Sequence, residues 1–349
     1  MGANTWGHHF QIHSFGESHG AALGCVIEGC PAGVIYDESL LLTELARRRP
    51  GWHGTVQDQV VSARTEQDQP EILSGVFEGR TLGTPIAVMI RNQDQRSQDY
   101  DSLRNNARAG HADDVWKNKF GHQDHRGGGR ASGRETVARV IGGAFAQMLI
   151  RQLCPEMRIH GFATQVGPIV LSVEERKNWL EKVSLSKEKY PQDLYPARFP
   201  SEKSEKVHSL LEQARQQGES YGAQAEIHVF NMKANLGQPV FWKLKSDLAQ
   251  ALMSLGAVSA VELGFGETEV GTEFHQEAQS QVYGGIRGGI STGENLIFKI
   301  KMKPTSSILD VSKKGRHDPC IVTRAIPVLE AMTALVLADH LLLSRMDRV

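Results

Sequence analysis

Three consecutive glycines lie between two arginines in residues 124–136, DHRGGGRASGRET, directly before an apolar pattern with helical spacing. A helix start already carries partial positive charge, so Arg130 and Arg134 add cations in an unfavourable place. Ser132 and Glu135 have the S-x-x-E spacing of a capping box, which predicts that the helix begins here. A bound anion would resolve the conflict of charge, because glycines let backbone N–H groups approach a phosphate closely. The alternative is a glycine turn with solvated arginines.

Two histidines lie where they could transfer protons near neutral pH. His19 falls within residues 16–20, GESHG, at the connection between two predicted strands and therefore on a loop tip. His111 follows a glycine and precedes Ala112 and Asp113. Imidazole titrates closest to neutral pH of all side chains, so either histidine could act as a general acid or base. A loop-capping role is the structural alternative for His111.

His122, Asp124 and His125 are spaced closely enough to suggest metal ligands. A metal ion held there would activate water, so a metal-assisted phosphohydrolase is one alternative function. No third ligand follows at the spacing of known metal motifs, and the adjoining glycines favour phosphate over metal. We therefore expect no metal site at these residues.

Further cations lie at the end of a predicted helix and directly after a predicted strand. Arg47, Arg48 and Arg49 end a predicted helix, where they complement the helix dipole whether or not a ligand is present. Lys303 follows a predicted strand and precedes the hydroxyls of residues 305–307. A lysine followed by hydroxyls suits a phosphate, although lysines on an edge strand that avoids aggregation give the same pattern.

The composition is that of an ordinary globular protein without a global charge excess. The 349 residues are 40% hydrophobic and 23% charged, and 39 Lys and Arg face 40 Asp and Glu, for a net charge of -1. No nucleic-acid partner is expected without a basic excess. Four cysteines without a CxxC pair suit the reducing cytoplasm. No signal pattern and no unbroken apolar run of spanning length occurs, so no membrane partner is expected.

Hydrophobic periodicity predicts both helices and strands between these residues. Alternating or continuous apolar runs predict strands at 10–14, 23–27, 72–79, 85–90, 159–171, 223–229, 258–263 and 298–302. Apolar residues at helical spacing predict helices at 40–49, 137–149, 173–181, 207–216, 248–255 and 326–337. The segment 184–205, rich in Lys, Pro, Ser and Glu, is predicted to be a surface excursion.

Five motifs occur in order along nearly the whole chain: GESHG at 16–20, GHAD at 110–113, RGGGR at 126–130, KPTSS at 303–307 and GRHDPC at 315–320. Together they resemble the chorismate synthase family. The resemblance implies an α+β fold, a β-α-β sandwich with helices packed between antiparallel sheets, with residues 1–349 as a single domain. It also implies a homotetramer that binds reduced FMN and converts 5-enolpyruvylshikimate 3-phosphate to chorismate and phosphate by anti 1,4-elimination. NADPH oxidised by the enzyme itself and an external reductant are both open as sources of the reduced flavin.

The same resemblance implies a role for each matching residue. His19 would be the general acid for the leaving phosphate, and His111 would protonate or stabilise the reduced flavin near N1. Asp318 would manage the proton at flavin N5, while Arg48 and Arg134 would clamp the substrate. The residues implied to line the FMN site are Arg130, Ala131, Ser132, Gly256, Ala257, Gly288, Lys303, Pro304, Thr305, Ser306, Ser307 and Arg316.

Several positions depart from the family pattern. Gly54 stands where the family has an arginine, Asp114 replaces a tyrosine, and Ala131 replaces a serine. Gly133 replaces an alanine, and Gly256 replaces an asparagine that borders the flavin. These changes would loosen ligand binding without removing any implied proton-transfer residue. A flavin- or phosphate-binding module without catalytic activity is therefore the second alternative function.

Overall fold

The computed structural model describes residues 2–49, 68–92, 110–186, 188–264, 283–306 and 318–348. Two residues implied to line the FMN site, Ser307 and Arg316, lie outside the described residues, as does Gly54.

The first sheet comes from the N-terminal part of the chain. The strands there are β1 Thr5–Trp6, β2 Gln11–Phe15, β3 Ala22–Glu28, β4 Pro70–Ile72, β5 Val76–Phe77, β6 Arg80–Thr81 and β7 Ile86–Arg91. Five of them form an antiparallel sheet in the order β1-β2-β3-β7-β4, while β5 and β6 pair separately. Alternate residues such as Leu23, Cys25 and Ile27 are buried, which is the period expected of a sheet with one face in the core. The predicted strands at 10–14 and 23–27 are confirmed.

The second sheet comes from the C-terminal half. Its region contains β8 Arg158–Val166, β9 Ile169–Val170, β10 Ala223–Phe230, β11 Val258–Leu263, β12 Ile286–Arg287, β13 Ile290–Ser291 and β14 Leu296–Met302. Five strands form an antiparallel sheet in the order β11-β14-β10-β8-β9, and β12 pairs with β13. Strand β14 is paired on both sides, so its lysines do not mark an edge strand and that alternative was wrong.

The described residues contain seven α-helices: α1 Glu38–Arg48, α2 Asp113–Phe120, α3 Thr136–Leu153, α4 Val173–Leu185, α5 Ser204–Gln217, α6 Leu244–Met253 and α7 Val322–Leu343. Two of them, α3 and α7, pack between the two sheets. Helix α3 packs on β2 and β3, α7 packs on β8 and β10, and the two helices pack on each other. A Cβ on Gly143 of α3 would lie 2.4 Å from the Cβ of Ala331, so only glycine permits this approach of α3 to α7. The predicted β-α-β sandwich is confirmed.

Helix α7 is the central helix of the sandwich. Its hydropathy and length would suit a membrane span, but 94% of the apolar window is buried inside the protein, as in a core helix. Near its C-terminal end, the Asp339 carboxylate accepts hydrogen bonds from the backbone N–H groups of His8, His9 and Phe10 at 2.8, 2.6 and 2.9 Å. Helix α7 thereby fixes the position of residues 8–10, which lead into β2.

The segment 184–205 contributes to the core, so its prediction as a surface excursion was wrong. Two 3-10 helices, Pro191–Leu194 and Pro196–Arg198, carry Asp193 and Arg198 into the interior, at 3% and 0% exposure. The charged composition of this segment led to the wrong prediction because its buried charges are paired with other buried charges.

A proline inside α7 explains one of these pairings. Pro327 has no N–H to donate to the carbonyl oxygen of Thr323, one helical turn earlier. Arg198 donates its Nη1–H to that oxygen instead, and its Nη2–H to the carbonyl oxygen of Arg47 at 3.1 Å. The 3-10 segment therefore supplies the hydrogen bond that the proline removes.

Five side chains form a buried ion network between α1, α7 and the 3-10 segment: Glu44, Arg47, Asp193, Arg198 and Glu330. Arg47 donates to Glu330 at 2.6 Å, to Asp193 at 2.6 Å and to Glu44 at 3.0 Å. Burial raises the pKa of Glu330 to about 7 although Arg47 opposes that shift. The network contains three carboxyl groups and two guanidinium groups, and Lys189 adds a third cation 3.8 Å from Glu44.

Candidate active site

A cavity of about 860 Å³ lies at one end of the sandwich. Its wall is formed by β1 and β2, the N-terminal turns of α3 and α7, part of α2, and the turns 254–257 and 303–306. Twelve of the residues implied by the resemblance line it: His111, Arg130, Ala131, Ser132, Arg134, Gly256, Ala257, Lys303, Pro304, Thr305, Ser306 and Asp318. Residues that were distant in sequence are thus brought together. His19, Arg48 and Gly288 are described but do not line the cavity.

The glycine run forms an irregular turn ahead of α3. Gly127, Gly128 and Gly129 have φ values of 59°, 81° and 52°, in the left-handed region that favours glycine. Gly127 and Gly128 line the cavity, and the backbone N–H of Ser18 donates to the carbonyl oxygen of Gly129 at 3.3 Å. The run therefore separates the loop 16–20 from the cavity.

The predicted capping box is wrong in detail. Ser132 accepts a hydrogen bond from the backbone N–H of Arg134 at 3.4 Å and begins a 3-10 turn, while α3 itself begins at Thr136. The Glu135 carboxylate pairs with Arg139 at 3.0 Å and does not return to the serine backbone.

Arg130 joins the glycine run to the first sheet. Its Nη1 donates to the carbonyl oxygen of Gly16 at 3.0 Å, and its Nη2 donates to Oδ1 of Asn4 at 3.2 Å and to Oγ of Ser14 at 2.5 Å. These acceptors are all neutral, so the positive charge of Arg130 is directed to the cavity without a carboxylate among the described residues to offset it.

Arg139 holds the turn 254–257 against α3. Its Nη1 donates to Oγ of Ser254 at 2.6 Å and its Nη2 donates to the carbonyl oxygen of the same residue at 3.2 Å. The turn also pairs with the end of β14, because the N–H of Lys303 donates to the carbonyl oxygen of Ala257 at 3.0 Å. The antiparallel pairing of β11 with β14 therefore explains why Gly256, Ala257 and Lys303 meet.

A cluster of three arginines and two aspartates lies at the cavity wall, which Arg134, Asp318 and Arg324 line. Asp68 binds Nη2 of Arg48 at 2.8 Å and Nη1 of Arg134 at 2.5 Å. Arg324 binds Asp318 at 2.8 Å and donates to the carbonyl oxygen of Arg48 at 3.4 Å. Burial, with Arg324 and Arg134 nearby, lowers the pKa of Arg48 to about 10. Among the described residues the cluster has three guanidinium groups and two carboxylates, and a bound anion would interact favourably with it.

His19 is buried directly behind the glycine run, at 5% exposure. It packs against Gly127, whose Cα faces the imidazole ring so closely that no side chain would fit between them. Its neighbour Ser18 is also buried. The position is adjacent to the cavity wall but not on it.

His111 lines the cavity on the turn before α2, a helix that has no buried residue. A Cβ on Gly110 would lie 3.1 Å from Cβ of Ser306, so the His111 turn packs against the loop 303–306. Half-buried Trp116 also lines the cavity from α2.

Gly288 lies at the β12–β13 hairpin, outside the residues that line the cavity. Its implied contact with FMN stays a prediction.

His122, Asp124 and His125, considered above as possible metal ligands, are not arranged as a metal site. Asp124 binds Arg126 through both oxygens, at 2.8 and 2.7 Å. Among the described residues, no group of three His, Cys, Asp or Glu side chains could hold a metal ion. The residues His122 and His125 therefore give the phosphohydrolase alternative no support.

Sequence reasoning missed Asp68, Arg139 and Arg324. Arg324 carries the same signal that identified Arg134, a cation in the first turn of a helix where acidic residues are preferred. Asp68 carries no local signal, since its partners are 20 and 66 residues away.

Comparison with known proteins agrees with the geometry. The family model described as chorismate synthase matches residues 10–342. The chorismate synthase of Bdellovibrio bacteriovorus is 59% identical over 352 residues and covers 100% of both chains, and those of Rippkaea orientalis and Magnetococcus marinus are 41% and 42% identical, covering 97% of each chain. A crystal structure of chorismate synthase superposes with a TM-score of 0.71 at 28% identity, covering 97% of this chain and 93% of the other. The chain therefore belongs to the chorismate synthase family and is a carbon–oxygen lyase of aromatic amino acid biosynthesis that acts on a small-molecule substrate.

Proposed function

We propose that the protein catalyses the anti 1,4-elimination of phosphate from 5-enolpyruvylshikimate 3-phosphate, which gives chorismate, and that reduced FMN binds in the same cavity. The main support is the charge of the cavity wall. Among the described residues, five cationic side chains, Arg130, Arg134, Arg139, Lys303 and Arg324, line it with three carboxylates, Asp113, Glu135 and Asp318. In a chain with a net charge of -1, this local excess suits two polyanionic ligands.

The wall also fits a planar ring and a phosphate. One stripe of α7 contributes the apolar side chains of Ile321, Ala325, Val328 and Met332, on which a flavin ring could lie. Arg130 and Lys303, with the hydroxyl groups of Ser132, Thr305 and Ser306, would hold the phosphate end. Reduced FMN, when bound, supplies the electron density that assists C–O and C–H cleavage without net redox change.

The substrate would bind to Arg134, which lines the cavity and keeps its guanidinium in place through Asp68 and Asn92. Arg324 would provide a second cation nearby. Guanidinium groups suit carboxylates and phosphates because they donate two parallel hydrogen bonds.

The proton-transfer roles fall to three residues. His19 would protonate the leaving phosphate, which requires a change in the glycine run because Gly127 now lies between the imidazole and the cavity wall. His111 would protonate or stabilise the reduced flavin near N1, and Asp318, which Arg324 orients through an ion pair, would manage the proton at N5. His111 lies on a turn that packs against Ser306. Asp318 is held by its ion pair with Arg324.

The test is anaerobic incubation with chemically reduced FMN and 5-enolpyruvylshikimate 3-phosphate, followed by measurement of chorismate and phosphate. We expect equal amounts of both products. His19→Ala and His111→Ala should keep the fold and lose most turnover. Folded parent protein that forms no chorismate would overturn the proposal, while near-native turnover in either variant would remove that histidine from its role.

NADPH as the sole reductant, added with oxidised FMN under the same conditions, separates the two sources of electrons. Product formation would identify the protein as its own flavin reductase, and formation only with chemically reduced FMN would identify an external reductant.

The proposed assembly is a homotetramer in the cytoplasm. Val240 and Phe241 are exposed at 65% and 87%, which suits burial against another copy. The four cysteines are free, as expected in a reducing compartment. Light scattering on the purified protein measures the assembly, and a mass of one chain would contradict it.

A further inference from the structure

A second cavity, of about 180 Å³, lies at the C-terminal end of α3, whereas the candidate active site lies at its N-terminal end. Residues of α3, β8, α4, β10 and the segment 188–190 form its wall. The described residues that line the two cavities form separate sets. Thr136 lines the first cavity and Ile150 the second, about 21 Å apart along the helix at 1.5 Å per residue. The two cavities are therefore separate sites.

The buried part of the second cavity is largely apolar. The side chains of Ile150, Met157, Val183 and Phe230 line it and are exposed by 5% or less. Such a surface favours an apolar group, because burial of apolar area is worth roughly 25 cal/mol per Å². A dry cavity of about 150 Å³ in a protein core holds benzene, so this cavity has room for one six-membered ring with a small substituent.

His160 is the buried polar side chain of this wall. It is exposed by 3%, and its Nε2 has no hydrogen-bond partner among the described residues. Burial lowers the pKa of His160 to about 3, and His228 and Arg47 add to the shift. The imidazole is therefore neutral, and the charge of the second cavity comes from its more exposed residues.

Those exposed residues carry an excess of positive charge. Among the described residues, three cations and one carboxylate line the second cavity: Arg151, Arg158, Lys189 and Glu188. Arg151 is partly neutralised, because it pairs with Asp37 at 3.1 Å. Arg158 and Lys189 are the two cations left to attract an anion.

Arg158 has no carboxylate partner among the described residues. Its three hydrogen bonds to those residues go to carbonyl oxygens at the end of α4, those of Val183, Ser184 and Ser186, at 3.4, 2.9 and 2.7 Å. A guanidinium group has five N–H donors, so donors are left for a ligand. The Cζ of Arg158 lies 5.7 Å from the ring centre of Phe230, which places a cation beside the apolar surface.

Lys189 lies among other cations. Burial lowers its pKa to about 8, and Arg151 and Arg47 add to the shift, while Glu44, 3.8 Å away, opposes it. An anion bound in the second cavity would favour the charged form of Lys189.

We propose that the second cavity binds a small carboxylate with an apolar body, about the size of benzoate. Arg158 and Lys189 hold the carboxylate, and the body packs against Phe230 and Met157. This site is independent of the proposed function, because it shares no described residue with the first cavity.

Benzoate is the probe, and titration of the full chain followed by ligand-observed NMR measures its binding. We expect a dissociation constant of about 1 mM or lower. Formate has the charge without the apolar body, and benzyl alcohol has the body without the charge, so each should bind at least about tenfold more weakly. Absence of saturable benzoate binding, or equal affinity for either of the other two compounds, would overturn the proposal.

Three variants locate the bound benzoate. Lys189→Met should weaken binding by about tenfold and Arg158→Met by about 10- to 100-fold, as expected for a lost charge-assisted hydrogen bond. Ile159→Trp should remove binding, because Ile159 lines the second cavity and an indole would fill it. Circular dichroism shows which variants fold, and if Arg158→Met does not, the other two decide.

Two lysines provide matched controls. Lys177 is exposed on α4 outside the second cavity, and Lys303 lines the first cavity. Lys177→Met and Lys303→Met should both keep the affinity for benzoate within about twofold of the parent. A tenfold loss in Lys303→Met would place benzoate in the first cavity and overturn the proposal. Parent affinity in both Lys189→Met and Ile159→Trp would overturn it as well.

Discussion

Gly127 lies directly against His19: a Cβ at Gly127 would come within 2.2 Å of both Nδ1 and Cε1 of the imidazole. The φ of Gly127 is +59°, so a side chain there would also carry backbone strain. Gly127 therefore lines the cavity on one side and fixes the position of His19 on its other side.

Gly127→Ala should therefore displace His19 and lower kcat by about 100-fold, the order of magnitude of general acid catalysis. The initial rate of chorismate formation measures it. Gly133→Ala is the control, since a Cβ at Gly133 meets nothing within 4 Å. The double variant with His19→Ala should be no slower than His19→Ala alone, and a further large loss would contradict the link between the two residues.

Gly256→Asn should tighten FMN binding. Gly256 lines the cavity and has open space where a side chain would project, and asparagine is the residue that the family pattern places there. One restored hydrogen bond predicts a dissociation constant lower by about threefold to tenfold. Quenching of flavin fluorescence on titration measures this constant without turnover. An unchanged or weaker affinity would show that Gly256 does not border the flavin.

Arg324→Gln should impair catalysis although Arg324 belongs to none of the sequence motifs. The change removes the 2.8 Å ion pair that orients Asp318, so we expect kcat/KM to fall by about 10- to 100-fold. Steady-state kinetics with reduced FMN measures the loss. Arg345→Gln, at an exposed arginine just beyond α7, should retain parent kinetics. Equal kinetics in both variants would remove Arg324 from the site.

Glu330 should make stability depend on pH near neutrality. Its pKa is raised by burial to about 7, above its ordinary value of 4.5, while Arg47 opposes the shift and Glu44 and Asp193 add to it. A carboxyl group with a raised pKa in the folded state favours folding at low pH, and this contribution is lost as the pH rises through 7.

Glu330→Gln removes that titration. The free energy of unfolding of the parent should therefore fall relative to that of the variant between about pH 4.5 and 7.5, by roughly 3 kcal/mol in total, and the difference should level off at higher pH. Urea unfolding at three pH values measures the difference, and any constant offset from the lost ion pair cancels. Glu181→Gln, at an exposed position of α4, should show no such trend. A flat difference for Glu330→Gln would contradict the raised pKa.

Local patterns predicted the elements well because they report neighbours in the same helix or strand. Asp37 caps α1 by accepting from the N–H of Leu40, close to the predicted start of the helix at 40–49. Phe298 and Ile300 of β14 are buried, as the alternation of the predicted strand at 298–302 requires. The same patterns failed at the capping box, where Glu135 found Arg139 on the next turn rather than the Ser132 backbone. Glu135 has two possible partners within one helical turn, and spacing alone does not choose between them.

The sequence predicted the site residues that belong to motifs. It did not predict the residues whose partners are distant in the chain. Arg47 and Glu330 are 283 residues apart, and Arg48 and Arg134 are joined by a carboxylate in a segment without periodicity. Such pairs depend on how the sheets and helices pack, which no single stretch of sequence encodes. The buried charge of segment 184–205 was missed for the same reason.

The bonds from Asp339 to His8, His9 and Phe10 join groups about 330 positions apart in the chain. Contacts of such separation make the fold slow to form, since loop closure must precede the stabilising contacts. During synthesis the face of α3 that packs on α7 would stay uncovered until α7 has left the ribosome. The nascent chain is therefore exposed to aggregation for most of its translation, and chaperones that shield apolar surface should determine how much of it reaches the folded state.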